Sequence, residues 1–439
     1  MKSKIAILCY AITMDFKNHL KKYLNDSQID ELIASFDKKE HKGFYLNVNK
    51  MSEDTLLSLY PNVRRHPVVP NGYLFDQDEY KLGKSIYHEL GAFYIQDPSA
   101  MLVAHYLAPK PGQKILDLCA APGGKTTMTS LLMKNEGLLL SNDLSKSRAN
   151  ILLQNIERMG LGNVIVTSYD FKNFYADLNE SFDAIILDAP CSGSGMFRKL
   201  EEMKDDWTYE KVLKNASIQK ELILMAYSML KEGGTLIYST CSYSYEEDEE
   251  VIEHLLANSD AKLEYIEDQE GYFRSPKYKE TIHLFPHLFV GEGHYTAKIK
   301  KRGNLVTSKD EKITIKRATS SKGNSKQIST FLINKNLPNK ILDYALRPGL
   351  FIDTKIADKS IPSHHYSHFA NSSNSIELSK EEAIKFIKGE SLRKNNLKQG
   401  YQFVSYLKMN IGVAHVIGDT IKNLYPKGLR HTLDIDDSF

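Results

Sequence analysis

Apolar residues recur three and four apart in some stretches and stand in short unbroken runs in others, and the two patterns alternate along the chain. Phe16, Leu20 and Leu24 form one helical stripe, and Ser27-Gln28-Ile29-Asp30 reads as the capped start of a second helix. Residues 43–49 read as a strand and 52–59 as another capped helix. The run Ile115, Leu116, Leu118 predicts a short buried strand that stops at Pro122-Gly123-Gly124. Helical spacing then resumes through Lys125, Thr126, Met128, Leu131 and Leu132. Later runs at 138–142, 164–169, 182–187 and 235–240 end at Asp143, Asp170, Asp188 and Cys241, with helical patterns predicted over 99–107, 145–159 and 215–230. After residue 331 a capped helix at 379–388 and strand-like runs at 401–407 and 413–417 predict a β-rich module.

Strands that alternate with helices predict an α/β fold built on an open parallel sheet. In such sheets ligands lie outside the carboxyl ends of the strands, so Asp143, Asp170, Asp188 and Cys241 are expected to converge beside the glycine turn. Each aspartate could instead cap the helix that follows it. That account leaves Asp188-Ala189-Pro190-Cys191 and Thr240-Cys241-Ser242 unexplained, because they place a thiol at two successive strand ends. Gly124-Lys125-Thr126 matches the end of a phosphate loop, but Cys119 stands where its first glycine belongs.

Composition sharpens this picture. With 57 basic and 55 acidic residues the net charge is +2, so a polyanionic partner must be held by local patches. One candidate is the segment from Lys298 to Lys326, whose ten Lys or Arg residues read as a basic linker. The four cysteines, Cys9, Cys119, Cys191 and Cys241, show neither metal-site spacing nor a disulfide framework, which points to a reducing cytoplasm. Glu246 to Glu250 read as the solvated first turn of a helix, and His283, His287 and His294 as structural or RNA-adjacent histidines without a metal. The expected domains are an N-terminal α/β domain at 1–90 with the first 13 residues an extension, a catalytic domain at 91–303, the linker at 304–330 and a C-terminal region at 331–439.

The motifs DLCAAPGGKT at 117–126, DAPCSGSGMFR at 188–198 and STCSYSYEEDEE at 239–250 stand in the order and spacing of the Nop/Sun-type RNA (cytosine-5) methyltransferases, which this chain resembles. FPHLFVGEGHYTAKI at 285–299 resembles the strand that closes that family's catalytic domain. YPKGLR at 425–430 resembles the end of the PUA-like RNA-binding module of its bacterial RsmF-like ribosomal RNA enzymes. The resemblance implies a Rossmann-like class I methyltransferase core, S-adenosylmethionine as methyl donor, and RNA as partner, with 16S ribosomal RNA the first expectation and transfer RNA the second. It implies a monomer, with no membrane and no metal.

The methyl donor is expected against Cys119, Ala120, Ala121, Pro122, Gly123, Gly124 and Lys125, with Asp143 on the ribose hydroxyls, Asp170 on the adenine amino group and Asp188 alongside. Cys241 is the expected nucleophile and Cys191 the thiol that assists product release. Asp188 is expected to supply or share a proton at ring nitrogen 3, and Lys125 to stabilise developing charge or fix the turn. Two other readings are open. Cys191 could attack, as the Pro-Cys pair of DNA cytosine-5 methyltransferases would suggest, or the chain could be a non-catalytic RNA-binding assembly factor that retains the pocket.

Overall fold

The computed structural model describes residues 16–430 apart from 174, 200, 201, 307–312, 323, 324, 335, 336, 338, 344, 357, 358, 371 and 372, so the proposed N-terminal extension and Cys9 lie outside it. Its catalytic core contains β1 (Lys114–Asp117), α1 (Gly124–Leu132), β2 (Leu138–Asn142), α2 (Lys146–Met159), β3 (Val164–Thr167) and β4 (Phe182–Asp188). The core continues with α3 (Tyr209–Met229), β5 (Leu230–Thr240), α4 (Glu249–Ala257) and β6 (His294–Lys300). Strands β1 to β5 pair in parallel in the order β3-β2-β1-β4-β5, and β6 adds antiparallel to β5. The chain builds outward from β1 through β2 and β3, then returns to the other side for β4 and β5. The strand order therefore reverses between β1 and β4, where an open sheet forms its ligand crevice. All residues of β1, β2 and β3 are buried, because helices cover both faces of the sheet.

Helix α3 starts six residues before the expected position 215, because the Thr208 side chain accepts from the backbone N–H of Lys211 and caps a polar first turn. The helix Asp26–Ser35, second after the helical residues 16–20, is likewise capped by Asn25, upstream of the expected serine, in a reciprocal box with Gln28.

The N-terminal sheet has the order Arg64–Arg65, Gly72–Phe75, Lys42–Leu46, Phe93–Gln96, so its last strand reaches past residue 90. Helix Pro98–Leu107, capped by Asp97, then leads into the core. At the other end of the chain five strands, centred on Gly400–Tyr406 and Met409–Ile417, carry helix Lys380–Ile387, which starts in the Ser379–Glu382 capping box. This module is not loosely tethered. Phe386, Leu378 and Tyr425 share one apolar core with Phe44, Tyr60 and Phe93 of the N-terminal domain, and the Tyr425 hydroxyl donates to Glu89.

The reading of 304–330 as a linker is corrected over its described part. Ile313–Lys322 and Ser325–Asn334 form an antiparallel hairpin, extended by Leu350–Ile356 and Lys359–Pro362. The lysines drew attention away from Ile313, Thr314, Ile315, Ile328, Thr330 and Ile333, whose β-branched side chains favour strands. Between the second and third strands of this sheet, Ala345–Arg347 pairs antiparallel with β3 and covers that edge of the core. Arg347 is buried there, its Nε 2.5 Å from Glu157 and its Nη2 2.8 Å from the Leu161 carbonyl. Among the described residues no helix is long and apolar enough to cross a membrane.

Candidate active site

The turn after β1 is held by its neighbours' strand ends. The Leu118 N–H donates to the Ile186 carbonyl at 3.0 Å and the Ala120 N–H to the Asn142 carbonyl at 2.7 Å, tying the loop to β4 and β2. Gly123 has φ of +113°, a region closed to most side chains, and this lets the chain turn directly into α1. The Pro122 carbonyl accepts from Tyr94 at 3.3 Å and Asn155 at 2.9 Å, and the Gln96 side chain lies against Gly124. Tyr94 and Gln96 thus line the loop, whereas Phe93 packs in the N-terminal core.

Asp143 is only 3% exposed, and its carboxylate accepts from the backbone N–H groups of Ala121 at 3.3 Å and Ser145 at 3.0 Å, with Arg148 at 3.4 Å. It therefore joins the loop after β1 to the turn that leads into α2. Asp170 is exposed and accepts from the Lys172 N–H at 3.0 Å, which is the capping geometry. A further carboxylate was not singled out by sequence reasoning. Asp117 is fully buried, takes the Thr126 hydroxyl at 2.6 Å on one oxygen and leaves the other unpartnered. Burial pushes its pKa up to about 7. Its signal was its place at the last position of a buried strand. Burial likewise raises the Cys119 thiol, which keeps it protonated and inert.

The two thiols meet. Cys191 Sγ lies 2.9 Å from Cys241 Sγ, and both cysteines are free. The hydrogen bond to Cys241, followed by burial, raises the Cys191 thiol well above its ordinary range, and either sulfur can be the donor across the contact. The Cys241 carbonyl accepts from the Gly195 N–H at 2.8 Å, and a Cβ on Gly195 would run into that carbonyl. Glycine is required there for the two strand-end loops to approach.

Beside the thiols, Lys125 Nζ stands 2.7 Å from Asp188 Oδ2, and the Ser239 hydroxyl donates to Asp188 Oδ1 at 2.7 Å. Burial would raise the Asp188 carboxyl, but Lys125 and then His294 outweigh it and hold it below the ordinary carboxylate range. Burial pulls Lys125 down, and Asp188 with Asp117 more than reverses this. The resting Asp188 is therefore a carboxylate in an ion pair, which favours the sharing of a proton over its supply, the two roles expected of it.

The expectation of a solvated carboxylate run at 246–250 is also corrected. Glu246, Glu247, Asp248 and Glu249 are all buried. Glu247 accepts from the Ser192 N–H at 2.8 Å, from both the Ser192 and Ser242 hydroxyls at 2.5 Å, and from Gln219 at 3.2 Å. It joins the loop carrying Cys191 to the loop carrying Cys241. Asp248 takes the Thr240 hydroxyl at 2.6 Å, and Glu249 pairs with His283 at 2.7 Å. Asp248, Glu249 and His283 each bring one ligating atom within 4.8 Å of the others, so in space an acidic pattern does accompany this histidine. The hydrogen bonds account for the grouping. Burial and then the neighbouring Glu249 raise the Asp248 carboxyl above its ordinary range.

A buried acceptor with a free oxygen at Asp117 and the carboxylate of Asp143, beside the glycine turn at the switch point, suit the amino, hydroxyl and charged groups of S-adenosylmethionine.

Comparison with known proteins agrees. A family model described as 16S rRNA methyltransferase RsmB/F matches residues 104–300, the RsmF N-terminal domain model matches 12–98 and the RsmF PUA domain model matches 373–431. Ribosomal RNA small subunit methyltransferase F of Vibrio parahaemolyticus is 32% identical, with 91% of this chain and 94% of the relative covered. The Shewanella piezotolerans protein of the same name is also 32% identical over 95% and 96%. A solved methyltransferase homolog from Pyrococcus horikoshii is 29% identical with a TM-score of 0.58, covering 65% of this chain and 93% of that one. NSun6 from the same organism, solved with SFG, shares the fold at a TM-score of 0.59 and 23% identity, covering 66% and 98%. With three consecutive domain models matched and these relatives aligned almost end to end, the chain belongs to the RsmF family of ribosomal RNA small subunit methyltransferases, which are S-adenosylmethionine-dependent enzymes.

Proposed function

We propose that this protein methylates carbon 5 of a cytosine in 16S ribosomal RNA through a covalent bond between Cys241 and carbon 6 of the base. The observation that carries the reading is the pair of free thiols 2.9 Å apart at neighbouring strand ends, next to the Lys125–Asp188 ion pair. Carbon 5 of cytosine is a poor nucleophile until a thiolate adds at carbon 6 and pushes electron density onto it. The Cys191 thiol is raised by its hydrogen bond and burial and so keeps its proton, which leaves Cys241, at the end of β5, as the attacking group.

S-adenosylmethionine supplies an electrophilic methyl group when bound. Asp143, Asp117, Asp170 and the loop from Cys119 to Lys125 would hold it. Asp188 faces ring nitrogen 3, and Lys125 places a positive charge where the base develops negative charge. Cys191, hydrogen-bonded to the attacking sulfur, assists the later break of the carbon–sulfur bond. The module at 373–431 supports RNA as substrate, because its family model is the PUA domain of RsmF. A reducing cytoplasm is in keeping with the free thiols of Cys119, Cys191 and Cys241.

Mapping 5-methylcytosine across total RNA from cells with and without the gene tests the substrate. Loss of a 16S site is expected. Loss confined to transfer RNA would replace the ribosomal assignment, and no loss in any RNA would overturn the reaction.

A further inference from the structure

His294 opens β6, one residue beyond the last recorded pair between β6 and β5, Tyr295 with Thr240, and so sits at the Cys241 end of the sheet. Its side chain is 7% exposed. Nδ1 lies 3.0 Å from the Gly293 carbonyl, and a carbonyl can only accept, so Nδ1 carries a hydrogen. The other ring nitrogen, Nε2, lies within ion-pair distance of Asp188 Oδ1, at 3.5 Å, and makes no hydrogen bond in the resting geometry. If the imidazole were neutral and the carboxylate ionised, two sets of lone pairs would oppose each other in a buried site. A proton between Nε2 and Oδ1 removes that conflict.

The reaction also needs that proton. As the Cys241 sulfur bonds to carbon 6, the π electrons of the 5,6 double bond move toward carbon 4, and the electrons of the 3,4 double bond settle on nitrogen 3. Nitrogen 3 must then take up a proton. Asp188 rests as a carboxylate and has none of its own to give. The groups facing it are Lys125 from α1, Ser239 from β5 and His294 from β6, with Asp117 and Cys241 nearby. A hydroxyl is far too weak an acid, and Lys125 holds its proton more tightly than a free lysine does. An imidazolium releases a proton much more readily.

We propose that Asp188 and His294 share one proton in the resting enzyme and pass it through the Asp188 carboxylate to nitrogen 3 of the target cytosine as Cys241 adds to carbon 6. When carbon 5 has been methylated and the 3,4 double bond re-forms, nitrogen 3 returns the proton to the pair, so the exchange balances over one turnover. Water then takes the carbon-5 proton, the electrons of that bond re-form the 5,6 double bond, and the Cys241 sulfur departs with its bonding pair as a thiolate. His294 acts through Asp188 and is a positioning residue. The inference rests on the reading that Asp188 meets nitrogen 3.

The test is single-turnover methylation of 16S ribosomal RNA by the full chain across the pH range, comparing wild type with His294→Gln, whose amide can donate but cannot titrate. The variant is expected to bind methyl donor and RNA like wild type, to react slower by on the order of tenfold or more, and to show a flatter pH–rate profile than wild type. A His294→Gln enzyme with the wild-type rate and pH profile would overturn the proposal. Asp188→Asn separates the two levels: full activity in that variant defeats the reading of Asp188 itself, whereas a dead Asp188→Asn beside a normal His294→Gln defeats only the shared proton. A second measurement on the unmutated fold is the nitrogen NMR of histidine-labelled protein. One ring is expected to be protonated at Nε2 at neutral pH and to lose that proton in Asp188→Asn. An unprotonated Nε2 at His294 in wild type would also overturn the proposal.

Discussion

Replacing Glu247 with alanine should disable the site although this residue touches neither base nor methyl donor. Its carboxylate accepts from the Ser192 N–H at 2.8 Å and from Gln219 at 3.2 Å, besides the hydroxyls of Ser192 and Ser242. After truncation the hydroxyls can turn toward each other across 3.3 Å, and Gln219 keeps the Pro190 carbonyl at 2.8 Å. The Ser192 N–H is a fixed buried donor and loses its partner. Such a group, with part of the Gln219 bond, costs about 3 kcal/mol. Unfolding entropy of about 2 cal/mol/K per residue over 439 residues converts this to a fall of about 3 °C in the melting temperature. The catalytic loss should be larger than the stability loss suggests, because Ser192 and Ser242 each adjoin a thiol and a displacement of about 1 Å can cost about a hundredfold in rate. Melting by circular dichroism and single-turnover methylation measure the two effects, and Glu247→Gln, which keeps one carbonyl acceptor, should recover part of both. An alanine variant that melts and methylates like wild type would refute the reasoning.

The carboxylates around the methyl-donor loop give two further predictions. Asp143→Ala should weaken S-adenosylmethionine binding by about tenfold or more, from loss of charged hydrogen bonds worth roughly 1.5–3 kcal/mol; calorimetric titration with unchanged affinity would remove Asp143 from the binding set. Asp117, raised to about 7 in the fold from an unfolded value of about 3.9, binds its proton more tightly when folded. It therefore contributes stability that is present at acid pH and lost as pH rises through about 7. The melting temperature of Asp117→Asn relative to wild type should accordingly rise across that window and level off above it, and a constant difference would contradict the burial argument.

Much of the site was legible because the chemistry sits at strand ends. Short apolar runs ending in Asp143, Asp188 and Cys241 place those residues at one edge of a parallel sheet before any coordinates are known. Partners distant in sequence were harder to see. Nothing near Glu247 in the chain announces that Ser192 and Gln219 will meet it, so a run of carboxylates read as solvated. Asp188 carries its catalytic context in the motif, but Lys125 and His294, 63 residues before and 106 after it, decide its charge. The hairpin at 313–334 was obscured because charge density was weighed above β-branched content, and Arg347 because one buried arginine leaves no periodic trace.

The central claim is that Cys241 attacks and Cys191 releases, and denaturing gels of each variant incubated with 16S ribosomal RNA and methyl donor test it most directly. Cys241→Ala should form neither methylated RNA nor a denaturation-resistant complex. Cys191→Ala should methylate once and stay attached to the RNA, because the carbon–sulfur bond forms but breaks slowly. A retained complex with Cys241→Ala and none with Cys191→Ala would contradict the account and make Cys191 the nucleophile.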